Sequence, residues 1–361
     1  MTKNRILWLD IARCLAILSV LLVHSAESGY SSVSLEELAG LGAPSACFRV
    51  ICFTAGRLGV PVFLAISGYL LLDRDYSTSE KIIRFYKTNL LPLLLTVEIW
   101  VLLYYFSQVF FSSQEFSLRH LVDNMLFMRK NEYSHFWYMP MIIGLYVAIP
   151  FIARAIKGIN AKALIVPFAV LFTVVFVVKS LNTFYDLLEI ETLSPGIDVT
   201  FIGGNYGAYL LMGLFCKRGY FKRLPCILLA FGFLVSCAFC CFIMLFSVKK
   251  GYDYHLWYDF IGVFVASLCL FELVSRIEIK GSSKASRAFA YSVSLLSQLS
   301  LGIYFIHKPI LNVVRAYLWH FITLRPVLAA AVFVLTLAVS FVIAFVISKI
   351  PKVRKWLLLI K

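Results

Sequence analysis

At 361 residues, 61% hydrophobic and only 15% charged, with a mean hydropathy of +0.86, the chain is far more apolar than a soluble globular protein. An excess spread over the whole length makes lipid the solvent and excludes a soluble domain built around one core. The formal net charge of +15 does not point to nucleic acid, because Lys and Arg fall in short groups between apolar runs, where a membrane protein carries its orientation signal.

A membrane span needs about 20 apolar residues. That length predicts ten helices in chain order, at 6–26, 50–72, 88–111, 136–153, 163–181, 200–216, 225–248, 256–275, 290–313 and 326–348. The fold class is therefore all-α, a single membrane-embedded domain over residues 1–361. The first span carries Asp10, Arg13 and His24, which is too polar for a cleaved signal peptide. Basic residues concentrate in alternate connections, such as Arg74, Lys81, Arg84 and Lys87, then Lys217, Arg218, Lys222 and Arg223. The positive-inside rule then places both termini in the cytoplasm. The longest outer connections, 27–49, 112–135 and 182–199, leave no room for a separate folded domain. The cysteines lie mostly in or beside apolar segments and lack ligand spacing with His, so no metal site is expected. Cys47 and Cys52 alone are placed to pair.

Charge inside a bilayer is costly and marks function by default. Arg13 and His24 are eleven residues apart, which is three helical turns plus about 20°, so they share a face about 16 Å apart along the axis. Asp10 stands three residues before Arg13 and can pair with it, and Glu98, mid-way along the third span, could also neutralise it. A deep guanidinium suits an anionic ligand, and His24 titrates near neutrality and can act as a base. Arg57, His135, Trp137 and His307 fall in the outer halves of their spans, level with His24. A cluster of imidazoles and aromatic faces suits a sugar. Lys308, Asn205 and Asp259 are further polar residues in or beside spans. These residues alone leave two functions open: a group-transfer enzyme, and a transporter or flippase for a lipid-linked sugar.

Four motifs narrow the choice. The opening stretch WLDIARCLAILSVLLVH, residues 8–24, places ten residues between Arg13 and His24; RLGVPVFLAISGYL follows at 57–70, HFWYMPMIIGLYVAIP at 135–150 and SLGIYFIH at 300–307. In order and kind they resemble the membrane acyltransferase family 3, and together they span nearly the whole chain. The length and the Ile-Ser-Gly-Tyr-Leu form look most like the branch containing the enterobacterial common antigen O-acetyltransferase. The resemblance implies a multi-pass protein of a bacterial inner membrane that moves an acyl group, acetyl in that branch, from cytoplasmic acyl-CoA to a glycan or lipid-linked saccharide hydroxyl. Acetyl-CoA would be a donor substrate and not a resident cofactor. Arg13 and His24 would be essential. The Arg-x-x-Arg pair that the family sets against acyl-CoA has its nearest match in Arg84 and Lys87, and Lys87 lacks the planar fork of an arginine. Transfer directly to the acceptor and transfer through an acyl-imidazole on His24 both remain open.

Overall fold

The computed structural model describes residues 6–31, 33–112, 114–129, 134–198, 200, 203–278 and 283–360. Among them every regular element is helical. Eight helices are long and apolar enough to cross a membrane: α1 (Leu7–Tyr30), α2 (Ala43–Leu71), α3 (Ser79–Phe111), α4 (Ser134–Ile156), α5 (Ala163–Leu187), α7 (Cys226–Lys249), α9 (Lys284–Leu318) and α10 (Arg325–Ser348). Two shorter helices, α6 (Gly204–Lys217) and α8 (Ile261–Ser275), coincide with the sixth and eighth expected spans.

Those two fall short for identifiable reasons. The expected span at 200–216 is cut by Gly203 and Gly204, whose φ values of 87° and 56° belong to the left-handed region, so the helix begins only at Gly204. The first residues of the expected span at 256–275 lie instead in an irregular loop before Ile261. At 1.5 Å per residue, α6 and α8 are each about 21–23 Å long, against a hydrocarbon core of about 30 Å. Conversely, α1 runs four residues past its expected end.

The centre of the bundle is α1 and α2, with α9 and α10 packed on α1. Of the apolar window of α2, 78% is buried inside the protein, whereas α5, α7 and α10 bury only 22% and turn their remaining apolar surface outward. The small residues of α1 and α2 set this arrangement. Gly56 packs on Val23, and Gly59 packs on Ala16 and Val20, so the two helices run antiparallel with backbones close together. At the other end of α2, a Cβ on Gly68 would fall inside the carbonyl of Leu210, and one on Gly213 inside that of Ala65. The glycine of the Ser-Gly-Tyr motif is thus where α2 and α6 cross backbone to backbone.

The antiparallel course brings Tyr69 beside Trp8, with ring centroids 4.9 Å apart, and returns the loop after α2 to the end where α1 begins. That end is basic. Lys81 and Lys157 bind Asp75, Lys217 and Arg218 approach Asp73, and Arg154 donates to the carbonyls of Tyr76 and Ser77. Cys47 and Cys52 are both thiols, not a disulfide.

Candidate active site

The polar network lies near the C-terminal end of α1. His24 Nδ1 is 2.9 Å from Glu27 Oε2, one turn further along the same helix. The other carboxylate oxygen, Oε1, accepts from Arg57 Nη2 at 3.1 Å. Arg57 is 5% exposed, and its guanidinium lies 4.8 Å from the ring centroid of Trp257 and 5.7 Å from that of Tyr258. A carboxylate can only accept, so His24 carries its proton on Nδ1 and presents the lone pair of Nε2. The result is a chain Arg57–Glu27–His24 in which a buried cation fixes the carboxylate and the carboxylate fixes the imidazole.

Two further histidines join it from other helices. The His307 ring stacks on His24 with centroids 5.4 Å apart, and His135 meets His307 edge-on at 5.0 Å. His307 Nδ1 lies 2.5 Å from the Tyr304 carbonyl, which again forces the proton onto Nδ1 and the lone pair onto Nε2. That Nε2 is buried without a hydrogen-bond partner among the described residues. Tyr304 donates its own hydroxyl to the His135 carbonyl at 2.5 Å, pinning the short helical turn that carries His135 and Trp137 against α9. Two stacked imidazoles, each with an Nε2 lone pair, therefore stand in an apolar bundle, a site for a group that brings hydrogens to donate.

Arg13 lies nearer the other end of α1. Its Nη1 donates to Asp10 at 3.2 Å, and Asp10, 1% exposed, also accepts from Ser297 at 2.8 Å and Ser294 at 3.4 Å on α9. The carboxylate beside Arg13 is thus Asp10. Among the described residues no ion pair joins Glu98 to Arg13, and the Glu98 Oε2 is buried without a hydrogen-bond partner. The neighbour on α4 is Tyr146, within electrostatic reach of Arg13.

Arg84 lines a pocket of about 310 Å³ with Arg74, Lys81, Tyr76 and Asn89, whereas Lys87 sits in a π-helical turn, Tyr86–Leu90, and is absent from that lining. In the same pocket the Asp75 carboxyl is held well below the usual carboxylate range, first by Lys81, then by Lys157 and Ser77.

Glu27 is the residue that sequence reasoning missed. With the first span ended at residue 26, Glu27 read as the first loop residue; in the structure α1 continues to Tyr30, and the i,i+3 spacing from His24 becomes a contact. The signal was present as an acidic residue one turn beyond a histidine.

A polytopic helical bundle with a largely buried His–Glu–Arg network and a deep arginine on the same helix defines a membrane enzyme scaffold more readily than a passive anchor. The family model described as an acyltransferase domain matches residues 6–345, and the chain belongs to that family, acyltransferase 3. No curated protein and no solved structure matches the chain.

Proposed function

We propose that the protein is an O-acyltransferase that moves an acyl group, acetyl in the simplest case, from acyl-CoA to a hydroxyl of a cell-surface or lipid-linked glycan. The observation that carries this is the Arg57–Glu27–His24 chain, an oriented base whose free Nε2 lies inside an apolar bundle. In the proposed step, His24 Nε2 takes the proton of the acceptor hydroxyl as its oxygen attacks the thioester carbonyl. The tetrahedral intermediate collapses, the C–S bond breaks, and the imidazolium returns the proton to the departing thiolate. Glu27 stabilises the imidazolium while it exists, and Arg57 holds Glu27 in place. His307 Nε2 would accept from the reacting hydroxyl or a neighbouring one.

Donor binding falls to the opposite end. Arg13 and the pocket of Arg74, Lys81 and Arg84 offer guanidinium forks and an ammonium to the phosphates of coenzyme A. The extended pantetheine arm matches the separation of about 16 Å between Arg13 and His24. The concentration of Lys and Arg at this end supports placing it, with both termini, in the cytoplasm of a bacterial inner membrane. The resemblance to the enterobacterial common antigen branch favours acetyl as the group moved. A flippase for lipid-linked sugar accounts for the buried charge equally well, but family membership favours transfer chemistry.

The deciding experiment is calorimetry of the purified protein with acetyl-CoA. Binding weakened by salt, lost in Arg13→Ala and kept in His24→Ala, is the expected result, together with slow thioester hydrolysis that His24→Ala abolishes. Folded protein that does not bind acetyl-CoA overturns the proposal.

A further inference from the structure

Between α7 and α8 the chain forms an irregular loop at 250–260 that no motif singled out, and the fold pins it on several sides. Asp253 accepts two bonds from Arg49, at 2.6 and 2.8 Å. The Tyr254 amide donates to Ser247 Oγ at 3.1 Å. The Tyr258 carbonyl accepts from Tyr209 at 2.8 Å, and the Ile261 amide donates to Ser180 at 2.8 Å. These anchors belong to α2, α5, α6 and α7, so four helices fix the position of the loop.

Four aromatic rings from three separated segments converge on this loop. Trp137 lies 5.6 Å from Trp257, 5.6 Å from Tyr258 and 5.7 Å from Tyr206. Trp257 is 37% exposed although Arg57 covers part of its ring at 4.8 Å. Half-buried Asn205 neighbours Tyr206, and half-buried Asp259, two residues after Trp257, is within electrostatic reach of that tyrosine. An indole of a membrane-interface belt faces lipid as a solitary anchor. Trp257 instead rests on the buried guanidinium that holds Glu27, backed by three other rings, with an amide and a carboxylate near Tyr206. Exposed aromatic surface next to a few fixed polar groups is the composition of a small-molecule site. For this geometry the ligand is one with a flat apolar face and hydroxyls at its edge, which is a pyranose ring.

Resting on the acyltransferase reading above, we infer that Trp257, together with its neighbours Trp137 and Tyr206 and with Asn205 and Asp259 near Tyr206, is the subsite that holds a saccharide ring of the acceptor. The ring packs on the exposed indole, and its hydroxyls bond to Asn205 and Asp259. Arg57 joins this subsite to the base, touching Trp257 on one side and Glu27 on the other, so a sugar on the platform sits next to the His24 network.

The test uses full-length protein in detergent on an array of bacterial cell-surface saccharides, with acetyl-CoA affinity measured on the same preparations. Wild type is expected to bind at least one saccharide. Trp257→Ala and Trp257→Leu should weaken that binding about tenfold or more, a loss of ~1.4 kcal/mol or more, while Trp257→Phe retains most of it. Acetyl-CoA affinity should stay unchanged in all three. Wild type that binds no saccharide, or Leu and Phe variants that bind equally, overturns the inference. Failure of folded protein to bind acetyl-CoA would overturn the acyltransferase reading, whereas the saccharide arm, read without it, still decides whether the platform holds a sugar. If Trp257→Ala does not fold, the Leu–Phe pair decides.

Discussion

Glu27 stands 2.9 Å from His24 on one helix and 3.1 Å from Arg57 on the next, so a single carboxylate orients the candidate base and receives its counter-charge. Glu27→Gln keeps the size of the side chain and removes the charge that stabilises an imidazolium. Turnover is expected to fall about 10²-fold or more, the scale of general-base assistance, with acetyl-CoA affinity unchanged. Steady-state kinetics alongside calorimetry checks both, and a Gln variant with wild-type turnover would remove Glu27 from the mechanism.

Arg57 and Glu27 should be coupled in stability. Removing one partner of a buried pair leaves the other uncompensated. Because Glu27 is about a third exposed, the cost of Arg57→Ala is expected at about 2 kcal/mol, below the range for fully buried pairs. The double variant Arg57→Ala/Glu27→Ala should recover part of that loss. Thermal unfolding in detergent of the two single variants and the double completes the cycle; strictly additive effects would mean the pair is not coupled.

Two glycines make a matched test of packing. Gly68→Ala drives a methyl group into the Leu210 carbonyl and should cost about 3 kcal/mol or more, since backbone cannot rotate away as a side chain can. Gly144, in α4, has open space where its Cβ would be, so Gly144→Ala should be neutral or gain up to ~1 kcal/mol of helix propensity. Melting temperature and the monodisperse fraction on size-exclusion chromatography read both.

Asp75 gives a pH signature with a definite sign. Its carboxyl is depressed in the folded state by Lys81, Lys157 and Ser77, so its contribution is fully present above the unfolded value of about 4 and fades as pH falls below it. The melting difference between wild type and Asp75→Asn should therefore be constant from about pH 5 to 8 and shrink under more acid conditions. Being exposed, it should be small and shrink further in about 1 M salt. A difference that grows on acidification contradicts this account.

Orientation can be read by labelling single cysteines at Ser31, Ser117 and Ser283 after the native thiols, including exposed Cys47 and Cys226, are replaced. A membrane-impermeant reagent should reach Ser31Cys and Ser117Cys positions in intact cells and miss the one at Ser283. Labelling at 283 from outside reverses the bundle and the proposed side of donor binding.

The sequence by itself determined the solvent and the class. Composition and run length required a helical membrane protein, and the spacing of Arg13 and His24 put both on one face of α1. The spacing also pairs Arg13 with Asp10, a contact the structure forms. Such features are local, fixed by helix geometry along one element. What only the tertiary structure decided is which residues of different elements meet. Helix ends are set by packing and by backbone conformation, which is why α1 reaches Tyr30 and turns Glu27 into a partner of His24, and why Gly203 and Gly204 shorten α6. The π-helical turn at Tyr86–Leu90 follows no spacing rule. The stacking of His307 on His24, and the delivery of Trp257 to Arg57 by an irregular loop, arise across hundreds of residues. Periodicity holds no information about such contacts, because they depend on how backbones cross at small residues such as Gly56, Gly59 and Gly68.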